Sequence, residues 1–113
     1  MKDPTELDFR EYSARRLDLQ FQGEPGLMYW ALKLNGEAGE VAEKAGKVVR
    51  DKDGVFDDHD SLALLYELGD VLWYVDATAT TLGADLITVA DMNLTKLYGR
   101  KARGTQHGSG DDR

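Results

Sequence analysis

Apolar residues recur at three- and four-residue intervals along nearly the whole chain, the period of an amphipathic α-helix rather than the alternation of a strand. Four such runs separate cleanly. Pro4-Thr5 opens the first, roughly Glu6 to Gln20, with Leu7, Tyr12, Leu17 and the flanking Phe9 and Phe21 as its apolar positions. Gly23-Glu24-Pro25-Gly26 breaks it. The second run extends from about Leu27 to Arg50 and stops at the turn sequence Asp51-Lys52-Asp53-Gly54. Polar residues continue to Asp60 or Ser61, either of which suits a helix cap. The third covers about Leu62 to Thr81 and ends at Gly83; Asp85 caps a fourth that reaches roughly Tyr98. Val48-Val49 and Leu86-Ile87-Thr88-Val89 are locally β-prone, but each is embedded in a longer 3.6-residue pattern. The expected fold is therefore all-α with four helices. Because the third run is apolar around most of its circumference, it belongs at the centre, and a second subunit is expected to complete the bundle.

Inside this pattern, two short acidic blocks stand out: Glu37-Ala38-Gly39-Glu40 and Glu67-Leu68-Gly69-Asp70. Each places two carboxylates three residues apart, on one helical face. The distance from Glu37 to Glu67 lets one helix end, turn and return antiparallel. Spacing alone is weak, since Asp3/Glu6, Asp8/Glu11, Glu40/Glu43 and Asp57/Asp60 share it. The setting is stronger. From Ser61 to Val75 the only charges are Glu67 and Asp70, and a carboxylate withdrawn from water without a partner is costly. Four acids facing across two helices suit a hard divalent cation. Gly39 and Gly69 each cost about 0.8–1 kcal/mol relative to alanine, which close approach of the two acidic helices, or of a ligand, would explain.

Composition narrows the class. One domain over residues 1–103 and a mobile, Gly/Ser/Asp-rich tail over 104–113 account for all 113 residues. A net charge of −7 and a pI near 4.7 disfavour nucleic acid or an anionic membrane as partner. They leave room for a phosphorylated small molecule, because a bound metal inverts the local field. The chain has no cysteine, hence neither disulfides nor thiolate sites. With no secretory leader and no apolar run of about 20 residues, a cytoplasmic protein is expected.

The helical stripes extend the chemistry. Lys44 and Lys47 continue the line of Glu37 and Glu40 and are placed for phosphate oxygens. Pairing of Glu40 with Lys44 and Glu43 with Lys47 explains them equally well. On the fourth helix Asn93, Lys96 and Arg100 share a face suited to phosphate and sugar or base, although a solvated helix end would also hold the two cations. Of the aromatics, Trp30 is the best base-stacking candidate because it lies two turns before Glu37 on the same stripe, against Tyr29, Trp73 and Tyr74. Core packing is the ordinary fate of any one of these rings. His59 is read as a loop residue and His107 as part of the tail; neither is given a catalytic role.

The segments LNGEAGEVAEKAGKVVR, LYELGDVLWYV and NLTKLYGR, in that order, resemble the MazG-like branch of the all-α nucleoside triphosphate pyrophosphatases over about residues 27–104. That superfamily's signature is ExxE followed, one helix later, by ExxD. The resemblance implies that Glu37, Glu40, Glu67 and Asp70 are Mg²⁺ ligands, with Mn²⁺ an alternative, and that Asn93 and Lys96 contact substrate. It also implies cleavage between the α- and β-phosphates of a nucleoside triphosphate, and a homodimer or homotetramer of helical subunits. Two rival readings stand beside this one. A di-iron carboxylate bundle needs Glu-x-x-His motifs, and here Glu40 and Asp70 stand where the histidines would be. A non-catalytic helical nucleotide-binding or oligomerisation module remains the alternative outside enzymology.

Overall fold

The computed structural model describes residues 6–21 and 23–104, and all of their regular structure is helical. Four helices follow in order: α1 (Phe9–Leu19), α2 (Leu27–Lys52), α3 (Asp58–Thr81) and α4 (Leu86–Arg103). Pro4-Thr5, His107 and most of the expected tail, residues 105–113, lie outside the described residues. Among the described residues no helix is long and apolar enough to cross a membrane.

The ends of the helices follow their caps. Asp8 starts α1 by accepting from the Glu11 N–H at 2.8 Å. The left-handed Asp53 (φ 52°) closes α2, its N–H returning to the Val48 carbonyl. Gly54 follows at φ 77°, which turns the chain in few residues. The helix α3 begins four residues earlier than the hydrophobic pattern implies. Asp57 and Asp60 form a reciprocal capping box, each carboxylate accepting from the other's N–H at 2.8 and 3.1 Å. Lys52 braces that box from the end of α2, its ammonium 3.1 Å from Asp57 and 2.8 Å from Asp60. As expected, Asp85 caps α4 through the Thr88 N–H at 2.7 Å. That helix then runs past Tyr98 and through Gly99, because Arg100-Lys101-Ala102-Arg103 sustain it until the left-handed Gly104.

The dominant packing is α2 on α3. Cross-contacts step down one helix as they step up the other: Lys52 meets Asp60, Lys44 meets Glu67, and Trp30 meets Tyr74. The pair is therefore an antiparallel hairpin. A buried ion pair fastens α1 to α3, while α4 leans on α3 and α1. Among the described residues few apolar side chains are buried: Trp30, Val48, Ala77, Ala79 and Leu86. Leu62, Leu65, Tyr66 and Leu68 of α3, and Met92, Leu94 and Tyr98 of α4, remain exposed. The Cα radius of gyration is 16.9 Å, against about 13 Å for a closed domain of this length. Far from being wrapped on all sides, α3 is bare along part of its length.

Candidate functional site

Antiparallel packing sets the first acidic block of α2 against the second block of α3. Glu37, Glu67 and Asp70 each offer a carboxylate oxygen within 4.8 Å of the others. Glu37 and Glu67 are partly buried and Asp70 is exposed, so the group opens to solvent from a sheltered floor. Glu40, one turn further along α2, is exposed and lies outside this trio. Burial pushes the Glu37 carboxyl above the ordinary carboxylate range, and the charges of Asp70 and Glu67 push it further, with Lys33 opposing. Lys44 approaches Glu67 at 3.6 Å. The Lys33 ammonium lies 5.8 Å from the centroid of Tyr74. The Tyr74 phenol is itself raised by burial, with Lys33 opposing and Glu37, Tyr29 and Asp70 adding.

Three crowded oxygens with no thiolate or imidazole form a donor set for a hard cation. Mg²⁺ takes oxygen ligands at about 2.0–2.1 Å, so two ligands on opposite sides of one ion lie about 4 Å apart. The trio's oxygens, within 4.8 Å of one another, are on that scale. The mutual repulsion registered at Glu37 is what a cation would relieve.

The residues expected to touch substrate are placed unequally. Trp30 is only 2% exposed. Its indole N–H donates to the Glu24 carboxylate at 3.0 Å, and its ring is enclosed by Phe21, Tyr29 and Tyr74 with centroids 5.2–6.2 Å away. It anchors the core, and no face is open to a base; the segment before α2 folds Glu24 back over it. Arg100, a candidate for substrate contact or for a solvated helix end, is only 3% exposed and sits inside α4, which continues to Arg103. Lys47 is exposed and pairs with Glu43 at 3.0 Å. Asn93 and Lys96 occupy exposed positions on α4, which packs on α3 and α1. Neither belongs to the acidic trio.

Several features of the structure do not follow from the helical pattern of the sequence. Asp76 is 0% exposed and accepts from Arg16 Nε at 2.5 Å and from Ser13 Oγ at 2.7 Å. Arg16 also donates to Gln20 and stands 5.8 Å from the centroid of Trp73. The available signal was an aspartate directly after an apolar stretch, the same signal that picked out Glu67 and Asp70. Lys33 is likewise four residues before Glu37, a spacing that puts both on one face. His59, read as a loop residue, is the second residue of α3 because that helix starts at Asp58. As for Gly39 and Gly69, no neighbouring atom lies within 4 Å of where a Cβ would stand. Close approach of the acidic helices within the chain is thus not what requires them.

Comparison with known proteins adds an independent finding. A family model described as the MazG nucleotide pyrophosphohydrolase domain matches residues 29–104. The Gene 37 protein of Mycobacterium phage L5 is 51% identical over 88 residues, which span 78% of this chain and 77% of that protein. No solved structure matches.

Proposed function

Because the chain belongs to the family of MazG nucleotide pyrophosphohydrolase domains, we propose that it is a Mg²⁺-dependent nucleoside triphosphate pyrophosphohydrolase. Its products would be a nucleoside monophosphate and pyrophosphate. The observation that carries this reading is the meeting of Glu37, Glu67 and Asp70 across two helices, with oxygens within 4.8 Å of one another. Glu37, Glu67 and Asp70 would hold the cation, and Glu40 would complete the ligand set from the exposed side. When bound, Mg²⁺ supplies neutralisation of phosphate charge and a more acidic water. A triphosphate carries about four negative charges to a protein that is already acidic, which makes such neutralisation a condition of binding.

In the hydrolysis, a water oxygen bonds to the α-phosphorus, the bridge to the β-phosphorus breaks, and pyrophosphate departs with the bridging oxygen. The water's proton passes to a carboxylate of the acidic group. Lys44 lies 3.6 Å from Glu67, and Lys33 offsets the charge at Glu37. Tyr74, four residues after Asp70, packs on Trp30 and lies under the Lys33 ammonium, so no ring of this cluster is assigned to the base. Lys47, Asn93 and Lys96 are proposed as phosphate and sugar contacts, those on α4 acting within an assembly of at least two copies. Stacking tolerates every base, so we infer modest base selectivity and a house-cleaning role toward deoxynucleoside or non-standard triphosphates.

The test is pyrophosphate release from a panel of ribo- and deoxyribonucleoside triphosphates with Mg²⁺, with Mn²⁺ and with chelator. Metal-dependent release supports the reading; silence across the panel overturns it in favour of a nucleotide-binding module. A preference above about 10³-fold for one base would contradict the stacking account, since it would require dedicated buried hydrogen bonds.

A further inference from the structure

A cavity of about 230 Å³ lies between the C-terminal half of α2 and the start of α3. Its walls include Lys44, Lys47, Lys52 and His59, with Phe56 and Leu64 among the apolar lining. It lies between the same two helices, α2 and α3, that carry the acidic trio. On α2, Glu37, Lys44, Val48 and Asp51 fall at i, i+7, i+11 and i+14; on α3, His59, Ala63, Glu67 and Asp70 fall at i, i+4, i+8 and i+11. Both series follow a single helical face. Lys44 joins the two regions, contributing to the cavity wall while its ammonium reaches Glu67 at 3.6 Å. Ala63, in the cavity, is one turn from Glu67, about 6 Å along the axis, a span comparable to two linked phosphoryl groups.

The charges in this cavity are unevenly committed. Asp51 is held by Arg50 through two hydrogen bonds of 2.7 Å, and Asp60 is held by Lys52 and by the capping box. The carboxylates on the wall are therefore already paired. Lys44 has one long contact to Glu67, and Lys47 has one partner, the exposed Glu43. Those two ammoniums and the imidazole of His59 are the groups available to an incoming anion.

Resting on the hydrolase reading above, we propose that this cavity is the pyrophosphate subsite: it receives the β- and γ-phosphates of the substrate, with Lys47 and His59 as their direct contacts. The substrate then lies along the groove, its α-phosphate at the acidic trio and its terminal phosphates toward the turn between α2 and α3. His59 becomes a substrate-contacting residue carried by the first turn of α3.

Calorimetric titration of the full chain with inorganic pyrophosphate and Mg²⁺ tests this without reference to turnover. Lys47→Ala and His59→Ala are each expected to weaken binding about tenfold, the scale of one lost charge-assisted hydrogen bond, with His59→Lys restoring most of it. Circular dichroism verifies that each variant is folded. Unchanged pyrophosphate affinity in both alanine variants overturns the subsite. So does a changed preference among bases with pyrophosphate affinity intact, which would make the cavity a base pocket. The two readings fail separately. Pyrophosphate bound through His59 by a chain that hydrolyses no triphosphate sinks the hydrolase and keeps the subsite. Active enzyme whose pyrophosphate affinity ignores both variants does the reverse.

Discussion

At the scale of single residues, the acidic trio should behave in opposite ways with and without metal. Glu37→Gln and Asp70→Asn are each expected to lower kcat by about 10²-fold or more, since several kcal/mol of phosphate charge stabilisation depend on the cation they would hold. In chelator the sign reverses for Glu37. Its folded-state pKa is raised by burial and by Asp70 and Glu67, so the fold binds the proton more tightly than the unfolded chain does. That contribution is fully present below the ordinary carboxylate range and is lost as pH rises through the raised value. Thermal melts in chelator should find Glu37→Gln at least as stable as wild type at pH 7, with the difference vanishing toward pH 4. The meeting of three acids was legible because Glu67 and Asp70 are the only charges in Ser61–Val75. Trp30 was not legible. Sharing a stripe with Glu37 says nothing about which part of that stripe the loop before α2 will cover.

At the scale of elements, two attachments govern the helices that carry the site. Arg16 and Asp76, both buried, hold α1 to α3 with the partly buried Ser13 as a second donor to Asp76. Removing one partner strands the other charge, so Asp76→Ala should cost about 3–5 kcal/mol. The double change Arg16→Met with Asp76→Leu should recover much of that, as read by chemical denaturation. The start of α3 depends on Asp57, whose pKa falls to about 2 because it accepts the Asp60 N–H and pairs with Lys52. A depressed carboxylate stabilises above its unfolded pKa and loses that contribution as pH falls through the folded value. Asp57→Ala should therefore lower Tm by a few degrees at neutral pH and flatten the acid limb of the stability curve between about pH 4 and pH 2. Helix number and order were legible from periodicity, whereas the onset of α3 was not, since Asp57 and Asp60 cap it ahead of its first leucine. The Arg16–Asp76 pair joins residues 60 positions apart, a separation that helical spacing cannot relate.

At the scale of the whole molecule, the single chain is too open for its apolar content. A radius of gyration of 16.9 Å and the exposed Leu62, Leu65, Tyr66 and Leu68 on α3 leave a hydrophobic band uncovered. We expect at least a dimer, with helices of two copies closing over that band. Sedimentation equilibrium at micromolar concentration should show a species heavier than 12.6 kDa. Leu65→Glu should shift it toward the monomer and, if α4 of a second copy supplies Asn93 and Lys96, raise KM as well. A wild-type chain that sediments as a monomer would leave those two residues without a route to the acids.

The glycines of the acidic helices carry a dynamic consequence. Gly36, Gly39 and Gly46 interrupt α2, and Gly69 interrupts α3, with open space where each Cβ would stand. Each weakens its local turn by about 0.8–1 kcal/mol relative to alanine, so the segments bearing Glu37 and Asp70 open more readily than the rest of their helices. Amide deuterium uptake should be faster across 36–46 than across 28–34 in the metal-free protein, and should slow once a divalent ion ties the two helices together. The glycines would then keep the empty site breathing, and loading would quieten it.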